Sequence, residues 1–142
     1  MVSSKPRRYR DLTLLDIGPG VTLVVSCDSS GGIGPKPADV IRVPGYVVGR
    51  FCARVALMEA ISVAARPVAI IDTLSVEPHP TGAEIMRGVA DEMASIGLDP
   101  GLCLTGSMER NVTTVQTGLG VTVLALLEGE GLMGRLGPGD AL

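Results

Sequence analysis

The run Cys27-Asp28-Ser29-Ser30-Gly31-Gly32-Ile33-Gly34-Pro35-Lys36 gathers an acid, two hydroxyls, three glycines and a lysine into ten residues. It follows Val21-Thr22-Leu23-Val24-Val25, which reads as a buried β-strand. Glycines let the backbone come close to a ligand and turn its N–H groups toward an anion. Lys36 would add a compact positive charge, and Asp28 could hold a divalent cation by its oxygens. The chain has one other lysine, Lys5, so Lys36 is no part of a lysine-coated surface. The spacing is not Walker A, because no Gly-Lys-Ser/Thr opens a helix, and it is not a Rossmann fingerprint. By itself the run reads as a metal and phosphate site or, equally, as a strand followed by a flexible surface turn.

The composition narrows the classes. At 142 residues the chain suits one domain with a substantial core. Hydrophobic residues are 46 % and mean hydropathy is +0.40, yet Arg50, Arg54 and Glu59 interrupt the longest apolar run below membrane-span length. The excess apolar surface is therefore expected between subunits, with no membrane partner. A net charge of −3 and 2 % aromatics argue against nucleic-acid binding. Cys27, Cys52 and Cys103 are odd in number and far apart, and no signal peptide precedes them. They read as buried thiols in a reducing, cytoplasmic setting. With one histidine, His79, and no CxxC or HExxH, zinc is not expected.

These residues must be positioned by elements, which can be read in order. Residues 1–10 form a basic arm. Asp11 to Ile17 and Val21 to Ser26 make a hairpin about Gly18-Pro19-Gly20, and the glycine loop then runs on through Asp39 to Val43. Pro44 suits a helix start, and Tyr46 to Ala65 is so apolar that the helix should be buried on most sides. Its Arg50 and Arg54 share a face, for an intersubunit salt bridge or for a ligand. Val68 to Asp72 is a third strand ending on an acid. Thr81-Gly82-Ala83-Glu84 reads as a capping box for a helix that closes at Gly97 with Leu98 behind it. Leu102-Cys103-Leu104 is a short strand or a strand entry, Thr105 to Gln116 a loop, and Thr117 to Leu127 the final strand. The order is β-β-loop-α-β-α-β-β, an α+β fold with helices on one face of a mostly antiparallel sheet. Val21–Val25 and Val121–Leu127 are apolar at consecutive positions, so both sheet faces should be buried. An isologous homodimer, sheet against sheet, with an interface beyond ~2,000 Å², is the symmetric solution.

Four segments carry a family resemblance over roughly Asp11 to Leu127. Asp28…Gly34-Pro35-Lys36 resembles the Asp-Gly-x-Gly-x-Lys segment of the PurM-like (AIR synthetase-related) superfamily, N-terminal ATP-binding domain, with two residues more. Met58-Glu59 through Ala65-Arg66-Pro67 is similar to that family's Asn-Asp…Gly-Ala-x-Pro, with Met-Glu in place of Asn-Asp. A strand ends in Asp72, and Gly134-Arg135-Leu136-Gly137-Pro138-Gly139-Asp140 resembles the linker that opens the family's second domain. The family's Gly-Gly-Glu/Asp-Thr segment is replaced near Leu104 to Glu109, where Glu109 is the acid that could substitute. Short segments also resemble α-ribazole kinase-type proteins.

The resemblance implies a sheet-to-sheet dimer barrel with ATP and Mg2+ as cofactors, and a kinase or transferase acting on a small-molecule substrate. Residues 11–128 would be the ATP-binding domain and 129–142 a Gly-rich linker where a second domain would begin. Asp28, Glu59 and Asp72 are the implied metal ligands, and Ser29, Gly31, Gly32, Gly34 and Lys36 the groups on the ATP phosphates. Three acids near a glycine loop would be costly to bury without a cation. The alternatives are a non-enzymatic nucleotide-binding module, or an N-terminal fragment of a two-domain enzyme.

Overall fold

The sheet is built from strands whose side chains alternate between a covered and an open face. The computed structural model describes residues 5–129. Its strands are β1 (Arg7–Tyr9), β2 (Leu12–Gly18), β3 (Val21–Gly31), β4 (Ile33–Gly34), β5 (Ile41–Arg42), β6 (Arg66–Leu74), β7 (Leu104–Met108) and β8 (Gly118–Glu128). Among the described residues, six of them form one sheet in the order β1-β2-β3-β8-β6-β7, and β4 pairs with β5 separately. Within the large sheet only β6 and β7 run parallel. This is the expected α+β arrangement with a mostly antiparallel sheet.

The covered face carries the core. Leu12 and Leu14, Val24 and Ser26, Ile70 and Leu74, and every second residue of β8 from Leu119 to Leu127 are buried. Over them lies α1 (Gly45–Ile61), which touches β3, β8 and β6, and α2 (Ala83–Ser95) packs beside it. Ser26 Oγ donates to the Ala56 carbonyl (2.7 Å), tying strand to helix. The two helices meet almost backbone to backbone. A Cβ on Gly49 would lie 2.1 Å from the Ile85 carbonyl oxygen, and one on Gly88 2.1 Å from that of Tyr46.

Several details differ from the sequence expectation. Arg7–Tyr9 is an edge strand against β2 rather than loose arm, held by backbone pairing that its polar residues do not advertise. Helix α1 stops at Ile61, four residues short of Ala65, where Ala64 enters the left-handed region at φ +61°. It is also not buried all round, since Phe51, Val55, Met58 and Ile61 are exposed along one side. Arg50 and Arg54 pair within the chain: both donate to the buried carboxylate of Glu92 on α2, at 2.7–2.9 Å. The capping box does not form. Thr81 donates its hydroxyl to Glu77, and Glu84 instead accepts from Gly45 N (3.1 Å), capping α1 from α2.

Leu102-Cys103 lies in a single helical turn, α3 (Pro100–Cys103), because Asp99 caps Gly101 N (2.8 Å) and Pro100 suits its first position. Leu104 does enter a strand, and β7 then runs on through Met108 into the segment expected as loop, its exposed middle residues hiding the strand. The end of α2 does follow its sequence signal. Leu98 N donates to the Met93 carbonyl and Gly97 N to that of Ala94, with Gly97 at φ +76°. Cys27 is exposed, so it is not one of a set of buried thiols. Residues 130–142, which include the expected linker, lie outside the described residues. No helix among the described residues is long and apolar enough to cross a membrane.

Among the described residues, no helix lies on the second face of the sheet. Leu15, Leu23, Val25, Ile71, Leu124 and Leu126 lie there, half-buried by their neighbours, with Ile17 exposed at one end.

Candidate functional site

Strand β3 runs five residues beyond the expected Ser26, so most of the chemistry-bearing run is strand. Asp28 pairs with Val121, Ser29 with Gly120, Ser30 with Leu119 and Gly31 with Gly118. Alternation puts Asp28 on the helix-covered face and turns Ser29 and Gly31 to the other side. Only from Gly32 does the chain leave the sheet, and the loop is then anchored by a residue that sequence reading passed over. Asp39 is buried, and its carboxylate accepts from Lys36 N (2.8 Å), Thr117 N (2.7 Å) and Thr117 Oγ1 (2.7 Å). Burial opposes its ionisation, but those bonds, led by the Thr117 N–H, hold its carboxyl below the usual range.

Gly34 serves the same anchor. Its φ is +152°, and a Cβ there would come within 2.3 Å of Thr117 Oγ1 and 2.9 Å of Asp39 Oδ2. Two N–H groups expected to face an anion are already bonded inside the protein: Gly32 N to the Thr117 carbonyl (2.9 Å), and Lys36 N to Asp39. The Lys36 ammonium is engaged too. It is buried and ion-paired with Glu77, whose other oxygen accepts from Thr81. Burial works against the Glu77 charge, but Lys36 and Thr81 pull its carboxyl down to about 2.

The three acids fall into two places. Asp28 lies against Cys52 of α1, where burial first and the carboxylate second push the thiol up to about 12. Beside it opens a cavity of about 390 Å³ with apolar walls, among them Ile33, Val47, Phe51 and Val55. Glu59, two turns on from Cys52, has one carboxylate oxygen buried without a partner. Burial, then the negative charges of Asp11 and Asp28, raises its pKa. Asp11 is a neighbour that the sequence did not flag.

Asp72 stands apart. It pairs across β8 with the same Val121 that Asp28 faces, and β6 continues past it to Leu74. Gly106 of β7 admits its carboxylate, since a Cβ there would sit 1.6 Å from Asp72 Oδ1. Asp72 is 1 % exposed, its Oδ2 has no partner, and burial pushes its pKa up to about 6. It lines a cavity of about 400 Å³ together with Thr105, Ser107 and Arg110.

No three His, Cys, Asp or Glu side chains among the described residues close into a metal-binding group. A magnesium ion does not require one: one or two carboxylates suffice when phosphate oxygens complete the shell. The unpartnered oxygens of Asp72 and of Glu59 beside Asp28 fit that pattern as two separate carboxylate positions, not as one three-acid cage.

Residues 9–125 match the family model described as AIR synthase related protein, N-terminal domain. The chain belongs to this family. None of the curated proteins matches it. Solved structures share the AIR synthase-related fold at low identity. Protein tt0281 from Thermus thermophilus is 19 % identical with TM-score 0.63, over 84 % of this chain and 37 % of its own. Thiamine monophosphate kinase from Aquifex aeolicus is 14 % identical with TM-score 0.60, over 84 % and 38 %. PurL of Thermotoga maritima, complexed with ADP, is 15 % identical with TM-score 0.57, over 83 % and 20 %. The chain thus spans well under half the length of each.

Proposed function

We propose that the chain is the nucleotide-binding part of an ATP- and magnesium-dependent phosphotransferase acting on a small metabolite, with α-ribazole as the first acceptor to test. The family match over residues 9–125 carries this reading. A kinase and an ADP complex among proteins of the same fold support it. Asp28 with Glu59, and Asp72 separately, are the metal-holding acids. Lys36, Gly31, Gly32, Gly34 and Ser29 serve the phosphates. Magnesium, when bound, would neutralise charge on the β- and γ-phosphates during transfer.

The chain's own groups do the positioning. The cavity beside Asp28 has the size and apolar walls that suit a nucleoside base, with a carboxylate at its edge to orient a hydroxyl. The bare sheet face, with Leu124, Leu126, Leu23 and Val25, supports a homodimer that covers it. Incubation with ATP, Mg2+ and α-ribazole should yield a phosphorylated nucleoside. ADP formed only with a different acceptor would remove α-ribazole and keep the reaction class.

A second reading is a nucleotide-binding module without turnover. The Lys36–Glu77 pair, which occupies the lysine meant for phosphate, favours it. Calorimetry separates the two: MgATP binding with no product from any acceptor selects the module, and absence of binding removes both.

A further inference from the structure

Behind Lys36 lies a cavity of about 300 Å³ lined by Glu77, Glu109, Arg110, Asn111 and Thr113 as well. It contains what an oxyanion site needs: an ammonium, a guanidinium, and successive backbone N–H groups. Two of these donor sets are already filled by carboxylates of the chain. Glu77 Oε2 is on the Lys36 ammonium, and Glu109 Oε1 accepts from Asn111 N (2.6 Å) and Val112 N (3.3 Å).

The lysine's backbone is clamped by bonds of its own, and its side chain, 9 % exposed, is held by the ion pair with Glu77. Lys36 N donates to Asp39, its carbonyl accepts from Arg42 Nη1, and Pro35 and Pro37 flank it. Exchange of partners is therefore left to the four-carbon stem and to Glu77, whose side chain is 33 % exposed. Glu77 balances the Lys36 charge, so the buried ammonium is not left uncompensated. Arg110 also lines the cavity of Asp72, which joins this place to one of the two carboxylate positions.

We propose that this cavity is a phosphate subsite kept shut by the protein's own carboxylates. Glu77 and Glu109 stand where phosphate oxygens go, and a terminal phosphate displaces them from Lys36 and from the N–H groups of Asn111 and Val112. The inference rests on the reading of Lys36 as a phosphate ligand. It adds that the two glutamates set a threshold: a polyphosphate with several charges displaces them, and a singly charged anion does not.

The test is calorimetric titration of inorganic tripolyphosphate into the full chain, with thermal melting to confirm that each variant is folded. Lys36→Ala should weaken binding about tenfold or more, as loss of a charge-assisted contact does. Glu77→Gln should tighten it about threefold or more, and Glu109→Gln should tighten it too. In the Lys36→Ala background the gain from Glu77→Gln should vanish, which separates exchange at one lysine from a general loss of negative charge. Glu77→Asp, too short to keep the contact, gives the same tightening if the glutamine variant does not fold. Should Lys36→Ala weaken binding while the Glu77 variants leave it unchanged or weaker, the shut subsite is overturned and Lys36 keeps its role. If Lys36→Ala binds like wild type, both fall. Tripolyphosphate binding to neither wild type nor Glu77→Gln overturns the subsite even if MgATP binds.

Discussion

Asp28 and Asp72 face the same side of the sheet from one row, and the buried side chain of Val121 on the strand between them fills the gap. Two strand spacings separate their backbones, about 10 Å. With the Val121 side chain between them, the two carboxylates stand as separate positions on one face.

Independent losses follow from that separation. Asp28→Asn and Asp72→Asn should each weaken magnesium-dependent nucleotide binding about tenfold or more, with the fold retained. The double variant should lose roughly the sum of the two free energies. Calorimetry with and without magnesium measures this. Wild-type affinity in Asp28→Asn would take that residue out of the metal assignment.

Asp72 also marks stability with pH. Its carboxyl is raised to about 6 from 3.8 by burial. Its contribution is therefore fully present below pH ~4 and is lost as pH rises through about 6. In metal-free protein the wild type should fall relative to Asp72→Asn across that window. At pH 7 the asparagine variant should be the more stable by roughly 2–4 kcal/mol, at about 1.4 kcal/mol per unit. Denaturant melts at stepped pH give the difference, and a wild type that gains on the variant between pH 4 and 6 refutes it.

Neighbouring positions on β8 separate folding from assembly. Val123 is buried beneath the helices, so Val123→Asp should unfold the chain whatever its oligomeric state. Leu124 points to the bare face. Leu124→Asp should abolish the dimer and, if the dimer is obligate, the fold with it. Sedimentation at micromolar concentration that finds a folded wild-type monomer would defeat the proposed sheet-to-sheet pairing.

The glycines of the loop are not equivalent. Gly34→Ala should cost roughly 2–4 kcal/mol, from its positive φ and its clash with Thr117. Gly31→Ala meets nothing within 4 Å and should change stability by less than about 0.5 kcal/mol. A loss of nucleotide affinity in Gly31→Ala would then report close approach of the ligand to that backbone. Chemical denaturation supplies the first two values.

The sequence displayed what is local. The hairpin, the core of α1, the glycine end of α2 and the existence of β8 all follow from spacing within a few residues, whereas the alternating burial of β8 does not show in its run of consecutive apolar residues. Asp28, Lys36 and Asp72 were visible as residue types. What stayed hidden were partners far along the chain: Glu77 is 41 residues from Lys36, and Thr117 is 78 from Asp39. The sequence ends strand β3 early because Ser29-Ser30-Gly31 has weak strand propensity, which the full register with β8 overrides. The capping box fails for a similar reason, as Glu84 accepts from a bare N–H on another helix instead of reaching back along its own.

The contact of α1 and α2 through Gly49 and Gly88 has a mechanical consequence. With no side chain between them at Gly49 and Gly88, the two helices are expected to shift together over the sheet rather than slide past each other. Closure around a guest therefore belongs to the segments that frame the cavities, near residues 32–42 and 105–117. Liganded and free forms should superpose on the helix pair and differ only at that rim.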